Sequence, residues 1–252
     1  MTLLERYDTL LFGRAIRDFY DDDFYNTGWW DAGTATPKDA ATNLVRRILE
    51  PVDDEPRTIL EAGCGLGGSS RVIAERWPNA EIVSVGISER QVSYCREHAA
   101  GSRRSFQRMD ATQLAFPPQS FDLVVSVEAA FHFNPRSQFF AEARRVLRDG
   151  GMLVLSDILV ESAAWPGSAS VPAPNFGTDP RRYAAALEAA GFSGVQVTDA
   201  TAPCWDAYID RLLEFLEPRA RSGEDAGQWL ELTHALKHGE RAGYVLASGR
   251  AR

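Results

Sequence analysis

The chain has 252 residues, 44% hydrophobic and 25% charged, enough for one α/β domain with a sizeable core and an ordinary soluble surface. Its formal net charge of −8 argues against a nucleic-acid partner, and no apolar run approaches the length that spans a membrane. Three cysteines, Cys64, Cys95 and Cys204, are too few and too widely spaced for a disulfide framework or a metal knuckle, so a reducing, cytoplasmic setting is expected.

Met1–Arg6 has no basic region followed by an apolar stretch, so no signal peptide is expected. Residues 1–35 are rich in aromatics: Tyr7, Phe12, Phe19, Tyr20, Phe24, Tyr25, Trp29 and Trp30 surround the acidic run Asp21-Asp22-Asp23. They read as a helical lid with one apolar face, preceding a main domain over 36–252. Thr36-Pro37-Lys38-Asp39 offers an N-cap, a proline at the first helical position and a capping box. Ala41, Leu44, Val45 and Ile48 continue that helix with one apolar stripe.

Strands and helices then alternate. Arg57–Glu61 reads as a strand, Ser69–Trp77 as a helix, Glu81–Val85 as a strand, and Ser88–Ala99 as a helix capped by Ser88 with Gln91 in the capping-box position. Ser105–Arg108 is a short strand, and Phe121–Val127 is an unbroken apolar run of the kind buried on both faces. Ser137–Leu147 is a helix stopped by Asp149-Gly150-Gly151, and Met152–Ser156 is the next strand. Residues 158–178, rich in Ser, Ala, Pro and Gly, predict a mobile loop over the site. Asp179–Ala190 is a helix, and strands at Val195–Thr198 and Tyr244–Ala247 flank a helical insertion at about 200–241. The pattern predicts an α/β fold: a doubly wound, mainly parallel seven-stranded sheet, closed by an antiparallel hairpin and carrying helical lid elements. Ligands on such sheets bind at the carboxyl ends of the strands.

The most informative stretch is Ile59-Leu60-Glu61-Ala62-Gly63-Cys64-Gly65-Leu66-Gly67-Gly68. An apolar strand ends in one acid, then in glycines that permit positive φ and close approach of a ligand to the backbone. A carboxylate at Glu61, facing the loop, is useless for gripping a pyrophosphate but suits a cationic amine. That points to a zwitterionic adenosyl ligand. Further polar or small residues follow each predicted strand: Gly86-Ile87-Ser88 with Gln91, Met109-Asp110-Ala111, Glu128 with Phe131-His132-Phe133, and Ser156-Asp157.

These motifs, in this order, resemble the class I S-adenosylmethionine-dependent methyltransferases with their Rossmann-like fold, and within them the small-molecule, natural-product branch that includes the tocopherol and sterol methyltransferases. Shared with that branch are also Ser120-Phe121-Asp122, Arg145-Val146-Leu147-Arg148 before Gly150-Gly151, and Ala242-Gly243-Tyr244-Val245-Leu246. The resemblance spans about Tyr25 to Ala247. It implies S-adenosylmethionine as cofactor and S-adenosylhomocysteine as product. It implies a cofactor site of Glu61, Gly63, Cys64, Gly65, Gly67, Gly86, Ile87, Ser88, Gln91, Asp110, Ala111 and Glu128. The glycines would pack on the methionine part, with Glu61 near its amino group. Ile87 would lie on the adenine and Asp110 would accept from its amino group. Gln91 would reach the ribose. One departure stands out: the strand-two acid usual in the family is Gly86 here, which leaves the ribose to Gln91, Ser88 or water.

The sulfonium methyl is already activated, so such an enzyme mainly aligns acceptor, methyl and leaving sulfur, and gains further from a general base. His132, flanked by Phe131 and Phe133, is the expected base, with Asp157 assisting. Related enzymes often carry two adjacent histidines here, and this chain has Phe131 in the first place. Tyr25, Trp30, Phe131 and Phe133 are expected to receive a small, partly apolar substrate, O-methylation being favoured over C- or N-methylation. No nucleic acid, membrane or metal is expected; His234 and His238, four apart, lack a third ligand. A monomer or homodimer is expected. The alternatives are the same fold doing cyclase or decarboxylase chemistry around a structural cofactor, or an inactive cofactor-binding subunit.

Overall fold

The computed structural model describes residues 8–9, 12–224 and 226–252. Tyr7 and the start of the expected lid lie outside them. In the described part of the N-terminal arm Asp8 and Thr9 are helical, α1 runs over Arg14–Tyr20, and turns and irregular chain lead on to Trp30. Helix α2 (Pro37–Leu49) starts as the sequence demands: Thr36 accepts from the Asp39 N–H, the Asp39 carboxylate takes the Thr36 N–H, and Pro37 opens the first turn.

The alternating elements are β1 (Thr58–Ala62), α3 (Gly68–Arg76), β2 (Glu81–Gly86), α4 (Glu89–His98), β3 (Arg104–Arg108), β4 (Phe121–Val127), α5 (Arg136–Val146) and β5 (Leu147–Leu159). They are followed by α6 (Pro180–Ala189), β6 (Phe192–Asp199), a π-turn at Thr201–Asp206, α7 (Ala207–Arg221), α8 (Gly227–His238) and β7 (Gly243–Ala251). The seven strands form one sheet in the order β3-β2-β1-β4-β5-β7-β6. Pairings from β3 across to β5 are parallel, and β7 runs antiparallel to both β5 and β6. Strand β5 is longer than the sequence suggests. Its second half pairs with β7, from Met152 opposite Arg250 to Leu159 opposite Gly243, and that distant partner draws residues 158–159 out of the expected loop.

Successive side chains of the central strands feed opposite faces. Ile59, Leu123, Val125, Met152 and Val154 join α1, α2 and α7 in one core, with Phe19 edge-on to Phe215 at 5.2 Å. Leu60, Val124, Leu153 and Leu155 join α5 and α6 in the other, around Phe139, Phe140, Tyr183 and Leu187. The helical insertion therefore uses Ile209, Leu212, Leu213 and Leu216 as core of this same chain.

The predicted mobile loop is stitched down instead. Its two short 3-10 turns, Ser168–Ser170 and Ala173–Asn175, reach the segment that follows β4. Buried Asn175 donates to the Phe131 and Phe133 carbonyls at 3.0 and 2.7 Å and accepts from the Arg136 N–H at 2.9 Å. An amide with both ends satisfied holds such a turn without a hydrophobic stripe, so periodicity does not reveal it.

Candidate active site

Strands β1, β2, β3 and β4 end on one side of the sheet, and the residues just beyond them line a cavity of about 510 Å³. Small-molecule sites typically measure roughly 300–1,000 Å³. The walls are formed by Gly63, Cys64, Gly65, Gly86, Ile87, Gln91, Asp110, Ala111, Glu128, Phe131, His132 and Phe133, with Tyr25 from the arm. Asn26, Leu66, Ser69 and Met109 line it too. Met109 and Leu66 follow from the strand-end rule, whereas nothing local marks Asn26.

The glycine loop has the shape its sequence requires. Gly63 sits at φ +92°, and a Cβ there would stand 2.3 Å from that of Ala129. Gly65 sits at φ +49° with nothing among the described residues within 4 Å of where its Cβ would be, so that face is open to a ligand. Ile87, 55% exposed, presents apolar surface to the cavity, as a platform for a flat ring would. Asp110 is fixed by Thr112, whose N–H and hydroxyl both donate to Oδ1 at 2.8 Å.

Gly86 has a steric reason. A Cβ at this position would lie 3.0 Å from the Cys64 sulfur, closer than ordinary contact. The Cys64 side chain would have to give by a few tenths of an ångström to admit a side chain at this position.

Five expected site residues do not line the cavity. Glu61 is fully buried, and both its oxygens are taken: Oε1 by Ser69 at 2.5 Å, Oε2 by Ser84 at 2.6 Å and by Ser70. Burial pushes its pKa up against these three hydroxyls. It ties β1 to α3 and β2 through these three hydroxyls, buried behind the cavity wall. Gly67 is the N-cap of α3, and Ser88 is the buried N-cap of α4. The expected capping box at Ser88 is only half formed, because the Gln91 side chain donates to Asp8 at 2.8 Å. Trp30 is committed to packing: its indole donates to the Thr27 carbonyl at 2.8 Å and its N–H to the Pro203 carbonyl at 2.9 Å.

Asp157 is the largest correction. Its side chain is wholly buried and accepts from the Phe131 N–H at 2.8 Å, the Arg136 guanidinium at 2.5 Å and the Tyr183 hydroxyl at 2.9 Å. Three donors hold it as the fastener of the 131–136 segment to β5, away from the cavity.

His132 is at the cavity. Its ring lies 3.6 Å, centroid to centroid, from that of Phe131, and its Nδ1 is 2.7 Å from the Ser170 carbonyl oxygen. A carbonyl can only accept, so Nδ1 carries the proton and Nε2 is the basic nitrogen. Burial lowers its pKa to about 4, which keeps the ring neutral.

Glu128, unlike Glu61 and Asp157, lines the cavity. Its backbone sits at φ +50°, which costs an L-residue roughly 1–3 kcal/mol and persists only where the surroundings impose it. Thr27 donates to Oε2 through its N–H at 2.8 Å and its hydroxyl at 2.9 Å, and Tyr244 adds its hydroxyl at 2.8 Å. Burial raises its pKa to about 7 in spite of these donors. The side chain joins the N-terminal arm to β7 across the cavity wall.

Among the described residues no group of three or more His, Cys, Asp or Glu could hold a metal ion, and His234 stacks on His238 at 6.1 Å. No helix of the described residues is long and apolar enough to cross a membrane.

A glycine loop with an open face, an apolar platform and a polar turn meet at the ends of parallel strands of a Rossmann-like sheet, the place where such sheets take their ligands. Residues 60–155 match the family described as methyltransferase domain. The chain belongs to the class I S-adenosylmethionine-dependent methyltransferases, and S-adenosylmethionine is its cofactor. It is 30% identical over 215 residues to the erythromycin 3''-O-methyltransferase of Saccharopolyspora erythraea, covering 77% of this chain and 70% of that protein. It is 31% identical over 243 residues to the 27-O-demethylrifamycin SV methyltransferase of Amycolatopsis mediterranei, covering 88% of both. The fold is shared with the cyclase SpnF (TM-score 0.77, 21% identity, 98% of this chain and 93% of that one). It is shared equally with the Mycobacterium tuberculosis cyclopropane synthase MmaA2 (TM-score 0.76, 16% identity, 99% of both).

Proposed function

We propose that the enzyme methylates a hydroxyl oxygen of a small, partly apolar natural product, with His132 as the proton acceptor. The observation that carries this reading is the His132 ring, held at the cavity by the Ser170 carbonyl, which puts the proton on Nδ1 and makes Nε2 the basic nitrogen. The relatives named for O-methylation of erythromycin and demethylrifamycin support oxygen as the acceptor atom and secondary metabolism as the setting. Tyr25, Phe131 and Phe133 supply apolar wall for a ring system while excluding water. The three cysteines are buried and unpaired, in keeping with a reducing cytoplasm.

The cofactor supplies an electrophilic methyl group. The Gly63–Gly65 backbone and Ile87 position it, and the aromatic wall orients the acceptor hydroxyl, an alignment worth up to roughly 7–11 kcal/mol. As the oxygen gains the methyl group its proton becomes strongly acidic. A base of pKa about 4 can then take it, and that base is unprotonated at any working pH.

Glu128 is the other candidate acceptor in the cavity, and pH separates the two. With His132 as base, kcat stays level from pH 8 down to about pH 5. With Glu128 as base, kcat falls below about pH 7. His132→Ala is expected to lower kcat by about 10²–10⁴-fold, with the methylated product followed by mass. Full activity of that variant at saturating cofactor overturns the role of His132.

A further inference from the structure

We propose that Asp8, on the N-terminal arm, is a positioning residue that aims Gln91 at the cofactor's ribose and so replaces the acid that β2 lacks. The inference rests on the cofactor site described above. Asp8 Oδ1 accepts from the Gln91 Nε2 and from the Ser88 hydroxyl, both at 2.8 Å. A carboxylate has no proton to give, so the amide must turn its NH2 toward Asp8 and its carbonyl the other way. Gln91 lines the cavity, and its Oε1 accepts no hydrogen bond from the described residues. What faces the cavity is therefore an acceptor oxygen, the complement of a sugar hydroxyl.

The same wall explains why a relay is needed. Gly86 has no side chain to offer, and the Cys64 sulfur lies 3.0 Å from where its Cβ would be. Without Asp8 the Gln91 amide is free to rotate and present its NH2, which cannot accept from a diol.

The arm does not depend on Asp8 to stay on α4. The Arg90 guanidinium lies 4.0 Å from the Phe12 ring centroid, Phe12 packs edge-on to Tyr94 at 5.6 Å, and the Tyr94 hydroxyl donates to Asp23 at 2.7 Å. Removing one carboxylate leaves those contacts in place, so an effect on the ribose can be read separately from undocking of the arm.

The test is calorimetric titration of the full chain with S-adenosylhomocysteine and with its 2′,3′-dideoxyribose analogue. Asp8→Ala is expected to weaken S-adenosylhomocysteine by about tenfold, as for one well-placed hydrogen bond, and to leave the dideoxy analogue within about twofold of wild type. Asp8→Asn keeps an acceptor for the Gln91 amide and is expected to recover part of the loss. Equal weakening of both probes would reduce Asp8 to a docking contact, and no weakening of either would remove it from the site; each overturns the proposal. Failure of the wild-type protein to bind S-adenosylhomocysteine at all would overturn the cofactor placement beneath it.

Discussion

Glu61 and Glu128 both follow the apolar run of a central parallel strand, and burial raises the pKa of both, yet they end in opposite situations. At the end of β1 the donors come from the adjoining turn of α3 and from β2, and they close over both oxygens. At the end of β4 the donors come from the arm and from β7, and all of them fall on Oε2. One carboxylate is consumed by the fold and the other remains at the cavity wall. A strand-end acid in a sequence marks proximity to a site. The hydroxyls around it decide whether it belongs to that site.

The sharpest way to break this contrast is at Asp157, the third carboxylate and the one most fully closed. Asp157→Ala leaves the Arg136 guanidinium buried without its partner and is expected to cost about 3–5 kcal/mol in chemical denaturation. A catalytic Asp157 would behave the other way, losing turnover as Asp157→Asn with stability nearly intact.

Glu61→Leu comes next. It strands three hydroxyls and is expected to cost about 2–3 kcal/mol. Affinity of the folded variant for S-adenosylhomocysteine should stay within about threefold, whereas a Glu61 that gripped the ligand's ammonium would cost tenfold or more.

Glu128→Gln should show an effect that depends on pH and vanishes at low pH. The folded chain holds the Glu128 proton up to about pH 7, while the unfolded chain releases it near the ordinary glutamate value of 4.5. Between those values the native state binds more protons, so stability declines as pH rises through the window, and the decline is complete above about pH 7. The glutamine variant lacks this decline. Thermal melts should place it on the order of 3 kcal/mol above wild type at pH 8 and level with it at pH 4. A pH-independent difference would mean that Glu128 is not the open carboxylate.

Much of the site was legible because it is local. Gly63, Gly65, Ile87 and Asp110 lie within a few residues of a strand end, and the strands themselves are marked by apolar runs and glycine stops. Trp30 misled because an aromatic near a site reads the same whether it meets substrate or caps its own turn. The loop at 160–178 misled because its order rests on the Asn175 and Ser170 contacts, which leave no periodic trace.

The sequence by itself determined the alternation of strand and helix, the glycine loop and the cofactor class, since positive φ, capping and apolar spacing are demands that neighbours in the chain settle among themselves. Tertiary structure alone decided which carboxylate stays open, which nitrogen of His132 is basic and what aims Gln91. Those partners lie 101 and 116 positions away for Glu128, 38 for His132 and 83 for Gln91, and a hydrogen bond records only where two groups meet in space.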